Sequence, residues 1–214
     1  AWQRLIRVLS HEINNSLTPI KSIATSLSAL LDRRDAASDD DEDLKEGLQV
    51  IAGRSEALGR FMSSYARLAK LPHPQKRELS VREWVRRVAS LESRIEVEVM
   101  DRPDVRIEAD GDQLDQLLIH LLDNAVDASL DTGGAVRGRW ADVEGHVEVT
   151  IEDEGPGLAQ TANLFVPFFT TKPKGSGIGL ALSRQIVEAH GGRVKLRNRT
   201  DGPGCVAEVW LPRQ

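Results

Sequence analysis

The sequence of 214 residues predicts an α+β protein in which a helical hairpin precedes a mixed α/β domain. Two observations predict this fold. Apolar side chains recur at alternating spacings of three and four through the first seventy residues, which is typical of helices in a bundle. From Glu78 onward, strand-like segments are interleaved with helical ones without βαβ regularity, which favours helices layered on a mixed sheet.

The hairpin is predicted from two apolar seams, one on each helix. The seam positions are Ile6, Leu9, Ile13, Ser16, Ile20, Ile23, Leu27 and Leu30 in the first helix, and Leu44, Leu48, Ile51, Ser55, Leu58, Met62, Tyr65 and Ala69 in the second. Two helices with one apolar face each cannot bury both faces as an isolated pair, whereas four helices can. We therefore expect a homodimer in which two hairpins form a four-helix bundle.

Charged and proline-rich segments mark the ends of the hairpin helices. The acidic stretch from Asp32 to Asp43 is predicted to form the hairpin tip and the first turn of the second helix, where negative charge complements the helix dipole. Pro72 and Pro74 stop a helix and stiffen the chain that follows. The chain is therefore expected to have three parts: a hairpin over 1–71, a linker over 72–77 and a second domain over 78–214.

The second domain is predicted to contain three helices and five strands. The helices are expected over 81–91, 112–129 and 176–190, and the strands over 94–100, 105–109, 146–152, 193–198 and 204–211. Gly191 and Gly192 are expected to end the last helix, because glycine readily adopts the left-handed conformation of a helix C-cap. Asp201 and Gly202 are typical of a tight turn, which predicts a hairpin between the last two strands.

Composition and charge exclude several classes of protein. Lys and Arg number 28 against 33 Asp and Glu, and this net charge of −5 disfavours a general nucleic-acid partner, which needs a clustered basic surface. Cys205 is the one cysteine, which excludes an intrachain disulfide and a cysteine zinc site. No apolar run approaches the ~20 residues of a membrane span. Because Ala1 lies within a helical pattern, we expect a fragment of a longer protein, attached to a membrane only through a missing upstream segment.

Polar residues of the first helix form a candidate reactive face. In the heptad pattern His11 lies opposite the buried seam, Glu12 adjoins it and Asn15 shares its face. A solvent-facing imidazole is mostly neutral and therefore nucleophilic near pH 7, and a neighbouring carboxylate can select the reactive tautomer. Taken alone, this pattern more often marks an ordinary surface histidine.

Two further motifs lie in the second domain. His120, Asn124 and Asp127 share the polar face of an apolar helix and are suited to phosphate and metal contacts, although any amphipathic helix has this pattern. Asp153 follows a strand and precedes a Gly-Pro-Gly turn. Its carboxylate can accept a hydrogen bond from a planar ligand close to the backbone, although a simple turn explains these residues as well.

A glycine-rich segment at the start of a predicted helix forms the fourth motif. Gly175, Gly177 and Gly179 alternate there, with Lys172 and Lys174 before them. Glycines at a helix N-terminus let backbone N–H groups approach phosphates, which the helix dipole also favours. The spacing differs from the G-x-G-x-x-G of dinucleotide-binding proteins, and no strand directly precedes it.

With these four motifs in this order, the chain resembles a sensor histidine kinase of two-component systems over essentially all of its length. The resemblance also rests on Leu164-Phe165-Val166-Pro167-Phe168-Phe169, on Gly177-Ile178-Gly179-Leu180-Ala181-Leu182 and on Ala189-His190-Gly191-Gly192. It is greatest for the nitrogen-regulation type, through His11-Glu12-Ile13 and Leu17-Thr18-Pro19-Ile20. The resemblance implies a dimerisation and histidine-phosphotransfer hairpin, followed by an α/β-sandwich ATP-binding domain of the Bergerat fold.

The resemblance also implies a role for each motif residue. His11 would be the phosphoacceptor that attacks the γ-phosphate of ATP through Nε2, Glu12 would assist its deprotonation, and Asn15 would orient water in a phosphatase reaction. Asn124 would help to coordinate Mg²⁺, and Asp153 would accept a hydrogen bond from the adenine amino group. The implied nucleotide-binding residues are His120, Asn124, Asp127, Asp153, Gly155, Gly157, Thr171, Lys172, Lys174, Gly175, Ser176, Gly177, Ile178, Gly179 and Leu180.

Three residues depart from the family pattern. Ser16 stands where a proline is common, and His120 stands where an asparagine is usual, which is expected to weaken or reshape phosphate and metal binding. Asp127 stands where a basic residue is often found, although relatives of the nitrogen-regulation type often have an acid there too. The sequence thus predicts a cytoplasmic, homodimeric, ATP-dependent protein-histidine kinase that passes a phosphoryl group from His11 to an aspartate of a response-regulator receiver domain. One alternative is a degenerate kinase that serves as a docking scaffold or phosphatase. Another is an ATPase of the chaperone or DNA-repair kind, which the hairpin with its His-Glu pair disfavours.

Overall fold

A computed structural model gives the structure of residues 13, 17–27, 40–69, 71–158, 163–170, 172, 175 and 177–213. The chain divides into two compact units, Ala1–Ala69 and Lys70–Gln214. Among the helices in those ranges, none has both the length and the apolar character that a membrane crossing requires.

The described residues of the first unit form two helices that pack as a hairpin. Helix α1 covers residues 17–27, and helix α2 covers Asp40–Ala69. The two helices approach closely at Gly47, where a Cβ atom would lie 2.8 Å from Leu27 Cδ2 and 3.2 Å from Ile23 Cγ2. A side chain at this crossing would therefore push the end of Leu27 aside, and Leu27 is buried. The predicted hairpin is confirmed.

Part of the predicted apolar seam stays exposed in the single chain. Leu48 is 54% exposed and Met62 is 43% exposed, although both occupy seam positions of α2. Ile51 and Leu58, on the same seam, are half-buried. One hairpin therefore leaves apolar seam side chains in contact with solvent.

The second unit is built on a five-stranded sheet. Its strands are β2 (Val97–Val99), β4 (Val136–Val143), β5 (His146–Asp153), β6 (Arg193–Asn198) and β7 (Cys205–Pro212). The spatial order is β2-β4-β5-β7-β6, in which β2 runs parallel to β4 and the other neighbours are antiparallel. A separate antiparallel pair joins β1 (Arg77–Ser80) to β3 (Arg106–Ala109).

Three helices in the described part of this unit pack on the sheet: α3 (Val81–Ala89), α4 (Gly111–Thr132) and α5 (Gly179–Ala189). Side chains cap the first two, because Ser80 Oγ accepts a hydrogen bond from the Glu83 N–H and Asp110 Oδ1 accepts one from the Gln113 N–H. The largest fully buried apolar side chains between these helices and the sheet are Trp84, Trp140, Leu114, Leu117, Leu118, Leu121, Ile186 and Leu211. The predicted layer of helices on a mixed sheet is confirmed.

A buried histidine joins the two helices that flank the candidate site. His190 follows α5 and is 2% exposed. Its Nε2 accepts a hydrogen bond from the Asp110 N–H at 3.0 Å, and its Nδ1 lies 2.8 Å from the Ile186 carbonyl oxygen. An acceptor at Nε2 and a donor at Nδ1 describe a neutral imidazole, which connects the end of α5 to the N-cap of α4.

Several predicted boundaries shift for identifiable reasons. The strand expected over 94–100 is limited to Val97–Val99, because Arg94 is held in a turn by hydrogen bonds to the Glu92 carboxylate. The helix expected from residue 176 begins at Gly179, because the φ of Gly177 is 65°, which a right-handed helix does not accommodate.

Strands β1 and β4 are not among the predicted elements. Strand β4 contains Gly138, Ala141 and Asp142, whose residue types are depleted in strands, yet all eight of its residues pair with β5. Strand β1 begins at Arg77, within the predicted linker. The same segment is tied to α4, since the Pro72 carbonyl accepts a hydrogen bond from Gln113 and the Gln75 N–H donates one to Asp110.

Candidate functional site

A cavity of about 340 Å³ lies between α4, the segment that precedes α5 and the start of α5. Its size falls in the range of small-molecule and cofactor sites. The residues that line it are His120, Asp123, Asn124, Asp127, Gly157, Leu158, Leu164, Phe169, Thr170, Lys172, Gly175, Gly177, Gly179 and Leu180. Polar groups from α4 and backbone from the glycine-rich segment therefore face one space, with apolar side chains beside them.

Helix α4 orients an amide oxygen toward this cavity. Leu117, Leu118 and Leu121 anchor the apolar face of the helix in the core, which turns the opposite face toward the cavity. On that face, Asn124 Nδ2 donates a hydrogen bond to the His120 carbonyl oxygen at 2.9 Å. Because its nitrogen is held by the helix backbone, the Asn124 Oδ1 atom is the group presented to a ligand.

Lys172 brings a positive charge to the same side chains. Its Nζ donates hydrogen bonds to Asn124 Oδ1 at 3.1 Å and to Asp127 Oδ2 at 2.6 Å. The ammonium group has three N–H donors, so two such bonds leave a third for a ligand. The lysine is 42% exposed and lines the cavity, where it can neutralise an anion.

The start of α5 offers backbone donors to the cavity. Ile178 is the N-cap residue and makes no side-chain capping hydrogen bond, and the first turn carries no acidic side chain. The first N–H groups of the helix therefore have no partner from a capping side chain, which is the arrangement that binds phosphates at helix N-termini. Gly179 lies against His120, since a Cβ there would be 3.6 Å from the ring.

Gly177 lets the glycine-rich segment pack against the preceding loop. Its φ is 65°, and a Cβ atom would lie 2.5 Å from the carbonyl carbon of Phe168. The Phe168 N–H donates a hydrogen bond to the Gly177 carbonyl oxygen at 2.8 Å, so the two segments run in contact. Arg184 of α5 stacks over Phe165 of the same loop at 5.2 Å, which adds a cation–π contact.

Asp153 occupies the end of β5 and is 6% exposed. Its Oδ1 accepts hydrogen bonds from the Gly155 N–H at 3.0 Å and the Cys205 N–H at 3.1 Å. Burial raises the pKa of this carboxyl above its ordinary value of 3.8, against the opposing effect of those hydrogen bonds. Among the described residues, no donor bonds to Oδ2, so this oxygen can accept a hydrogen bond from a ligand.

Asp153 and Gly155 do not line the cavity of about 340 Å³, although Gly157 does. Gly155 instead packs on α4, where a Cβ atom would lie 2.6 Å from Ala128 Cβ. Gly157 has a φ of 84° and lies next to Asn198, whose Oδ1 accepts a hydrogen bond from the Leu158 N–H at 2.6 Å. The turn after β5 thus runs from the buried carboxylate to the edge of the cavity.

The donor set of the cavity suits Mg²⁺ bound together with phosphates. Asn124 supplies an amide oxygen, and Asp123 and Asp127 supply carboxylates on the same helix face. No cluster of three His, Cys, Asp or Glu side chains that could hold a metal occurs within the described ranges. Mg²⁺ commonly uses one or two protein oxygens, with water and substrate phosphates as its other ligands, so these residues fit such an ion.

The structure brings together most of the predicted nucleotide-binding residues that it describes. Nine of them line the cavity: His120, Asn124, Asp127, Gly157, Lys172, Gly175, Gly177, Gly179 and Leu180. Asp153, Gly155 and Ile178 do not line it. His11, Glu12, Asn15, Thr171, Lys174 and Ser176 lie outside the described residues.

Five lining residues are absent from the predicted set. They are Asp123, Leu158, Leu164, Phe169 and Thr170. A signal exists for each, because every one lies within or next to a motif that the sequence shows. No such signal exists for Arg94, which bonds to Asp127 from 33 residues away.

Comparisons with known proteins indicate the family of the chain. Residues 109–214 match the family described as histidine kinase-, DNA gyrase B-, and HSP90-like ATPase. The sensor histidine kinase ZraS of Salmonella typhi is 31% identical over 221 residues, which cover 99% of this chain and 46% of that protein. The chain thus spans about half the length of this relative.

Solved structures show the same relationship. The mycobacterial sensor histidine kinase MprB is 31% identical, with a TM-score of 0.56, and the match covers 64% of this chain and 97% of that one. The histidine kinase ThkA in complex with the response regulator protein TrrA is 25% identical, with a TM-score of 0.66, and the match covers 99% of this chain and 64% of that one. The chain therefore belongs to the sensor histidine kinases, and its second unit carries their ATP-binding domain.

Proposed function

We propose that the chain is an ATP-dependent protein-histidine kinase that phosphorylates itself on His11 and passes the phosphoryl group to an aspartate of a response-regulator receiver domain. The observation that carries the proposal is the cavity in which Asn124 Oδ1, the Lys172 ammonium and the start of α5 face one space. Phosphoryl transfer depends mainly on alignment and charge neutralisation, which such groups supply.

The adenine and the phosphates of ATP each have a proposed partner in the second unit. Asp153 Oδ2 is the proposed acceptor for the adenine amino group, and Gly155 and Gly157 shape the turn beside it. Lys172 and the N–H groups at Gly179 and beyond are proposed to bind the phosphates. Mg²⁺, when bound through Asn124, would neutralise charge on those phosphates.

The resemblance to the family supports the roles of the reactive residues. His11 Nε2 would form a bond to the γ-phosphorus while the bond from that phosphorus to the β–γ bridging oxygen breaks, so that ADP leaves. Glu12 would accept the proton that the imidazole ring releases. A receiver aspartate would then take the phosphoryl group and free His11. In a separate phosphatase reaction, Asn15 would orient the water that hydrolyses the phosphorylated aspartate and releases inorganic phosphate.

ATP labelling tests the proposal directly. The protein incubated with γ-labelled ATP should acquire an acid-labile, alkali-stable label, and His11→Ala should abolish it. His73→Ala, which removes an exposed histidine within the predicted linker, is the matched control and should retain the label. Unchanged labelling of the His11→Ala protein would refute the assignment of the phosphoacceptor.

His120 favours a second candidate, a degenerate kinase that acts as a docking scaffold or phosphatase. The imidazole lines the cavity where the family usually has an asparagine amide. A protein that binds a receiver domain and dephosphorylates it, but takes no label from ATP, would support this alternative. If the chain is instead the active kinase proposed first, Asn15→Ala should slow dephosphorylation of a phosphorylated receiver and leave labelling of His11 by ATP largely intact.

The assembly that we propose has residues 1–71 as a dimerisation and phosphotransfer hairpin, 72–77 as a linker and 78–214 as the ATP-binding domain. Exposure of Leu48 and Met62 supports a homodimer, because a second hairpin would bury them. The complex of ThkA with TrrA supports a receiver partner. We also propose a cytoplasmic location, where ATP is available. We further propose that the chain is of the nitrogen-regulation type, and this assignment rests on the residues around His11 and Pro19.

A further inference from the structure

A chain of ion pairs reaches the cavity from the turn before β2. Its first member is Glu92, whose side chain is 7% exposed. The Glu92 carboxylate accepts hydrogen bonds from the Arg94 backbone N–H at 2.6 Å, from Nε at 3.0 Å and from Nη2 at 2.6 Å. These bonds lower the pKa of Glu92 to about 2. The guanidinium of Arg94 is therefore fixed by a carboxylate that stays ionised.

The same guanidinium holds two carboxylates of α4. Arg94 Nη1 donates to Asp127 Oδ1 at 2.8 Å, and Nη2 donates to Asp123 Oδ1 at 2.7 Å. Asp123 and Asp127 are one helical turn apart, so a single planar fork can reach both. Arg94 thus determines where the Asp127 carboxylate points.

The second oxygen of Asp127 completes the connection. Asp127 Oδ2 accepts a hydrogen bond from Lys172 Nζ at 2.6 Å, which holds this ammonium 3.1 Å from Asn124 Oδ1. Lysine has a flexible side chain whose ordering costs conformational entropy. Because Arg94 holds Asp127 and Asp127 holds the Lys172 ammonium, the conformational entropy of the lysine side chain is lost before a ligand binds.

We propose that Arg94 is a positioning residue for nucleotide binding, which fixes Asp127 so that Asp127 holds the Lys172 ammonium at the phosphate side of the cavity. The proposal rests on the proposed function, because it takes a nucleotide as the ligand. Arg94 itself does not line the cavity and acts through Asp127. Its effect on affinity should therefore depend on the presence of Lys172.

A double-mutant cycle on the full 214-residue chain tests this dependence. The dissociation constant of ADP in the presence of Mg²⁺ is measured by calorimetry for Arg94→Gln, Lys172→Met and the double variant. Partly exposed ion pairs contribute modestly, so we expect affinity to fall about threefold for Arg94→Gln and about tenfold for Lys172→Met. In the Lys172→Met background, Arg94→Gln should have almost no further effect, because the group that it positions is absent.

Arg87→Gln is the matched control. Arg87 also pairs with a carboxylate of α4, Asp115, through two hydrogen bonds, and it is similarly exposed. Asp115 does not line the cavity, so this variant should bind ADP as tightly as the wild type. If Arg94→Gln lowers the free energy of unfolding more than Arg87→Gln does, Arg94→Lys provides a second test. Its affinity for ADP should lie between those of the wild type and Arg94→Gln.

Two results would overturn the proposal. Additive losses from Arg94→Gln and Lys172→Met would mean that Arg94 acts through general charge or stability and not through the lysine. Unchanged affinity in Arg94→Gln would mean that Lys172 needs no positioning. Neither result touches the proposed kinase, which fails only when ATP leaves His11 unlabelled, so the two outcomes are distinguishable.

Discussion

Replacing Asp153 by asparagine separates ligand recognition from folding. In Asp153→Asn the side-chain oxygen can still accept the hydrogen bonds from the Gly155 and Cys205 N–H groups at 3.0 and 3.1 Å. The amide nitrogen then takes the place of Oδ2. The substitution thus replaces a hydrogen-bond acceptor by an N–H donor at the position where the adenine amino group is proposed to donate. The side-chain amide and the adenine amino group would then face each other as two donors.

The magnitude follows from the hydrogen bond that is lost. Leaving a buried donor without a partner costs about 1–3 kcal/mol, which corresponds to roughly a fivefold to 150-fold weaker dissociation constant for ADP. The free energy of unfolding, in contrast, should not fall in Asp153→Asn at neutral pH. Burial raises the pKa of the Asp153 carboxyl above 3.8, so the folded protein binds this proton more tightly than the unfolded chain. The contribution of Asp153 to stability is therefore lost as the pH rises through the folded-state pKa.

Two measurements check this reasoning. Calorimetric titration should show weaker ADP binding to Asp153→Asn, whereas purine riboside diphosphate, which lacks the amino group, should bind both proteins equally. Urea unfolding at pH 7 should show the variant at least as stable as the wild type, with the difference shrinking as the pH falls through the raised pKa of Asp153 toward 3.8. Equal ADP affinity, or an equal loss for both nucleotides, would refute the assigned contact.

Two further predictions concern packing and charge. Gly177→Ala should lower the free energy of unfolding by at least about 1 kcal/mol, because a φ of 65° and a Cβ atom 2.5 Å from the Phe168 carbonyl carbon are both unfavourable. Gly53→Ala is the control and should not lower it, because no atom lies within 4 Å of the added Cβ. Urea titrations that show equal losses for the two variants would contradict this explanation. Glu92→Gln should destabilise the protein at neutral pH, and the difference should fade as the pH falls from 4.5 toward 2, because Arg94 lowers the Glu92 pKa to about 2. A difference that is constant with pH would contradict that explanation.

The fold was predictable where the signal is local. The hairpin follows from a periodicity that each helix carries by itself, and α4 follows from apolar residues at helical spacing that end up buried, such as Leu114 and Leu121. Strand β4 was not predictable in this way. Three of its eight residues, Gly138, Ala141 and Asp142, are of types depleted in strands, and full pairing with β5, which is a tertiary effect, sets its conformation.

The candidate site shows the same division. The residue types at Asn124, Lys172 and Gly177 could be recognised from their motifs, but their proximity depends on how the segment before α5 folds onto α4. The role of Arg94 could not be predicted at all. Arg94 lies in a turn where the sequence pattern predicts a strand, and its partner Asp127 is 33 residues away.

The glycines around Asp153 explain why a carboxylate can be held so firmly at the end of a strand. A Cβ atom at Gly155 would lie 2.6 Å from Ala128 Cβ of α4, and one at Gly204 would lie 2.0 Å from the Asp153 carbonyl oxygen. The strand end is thus enclosed by backbone on both sides, which brings two N–H donors to Oδ1 and leaves Oδ2 for a ligand. Glycine at these positions therefore serves close packing around the acid: a side chain at Gly204 would collide with the Asp153 backbone, and one at Gly155 would collide with α4.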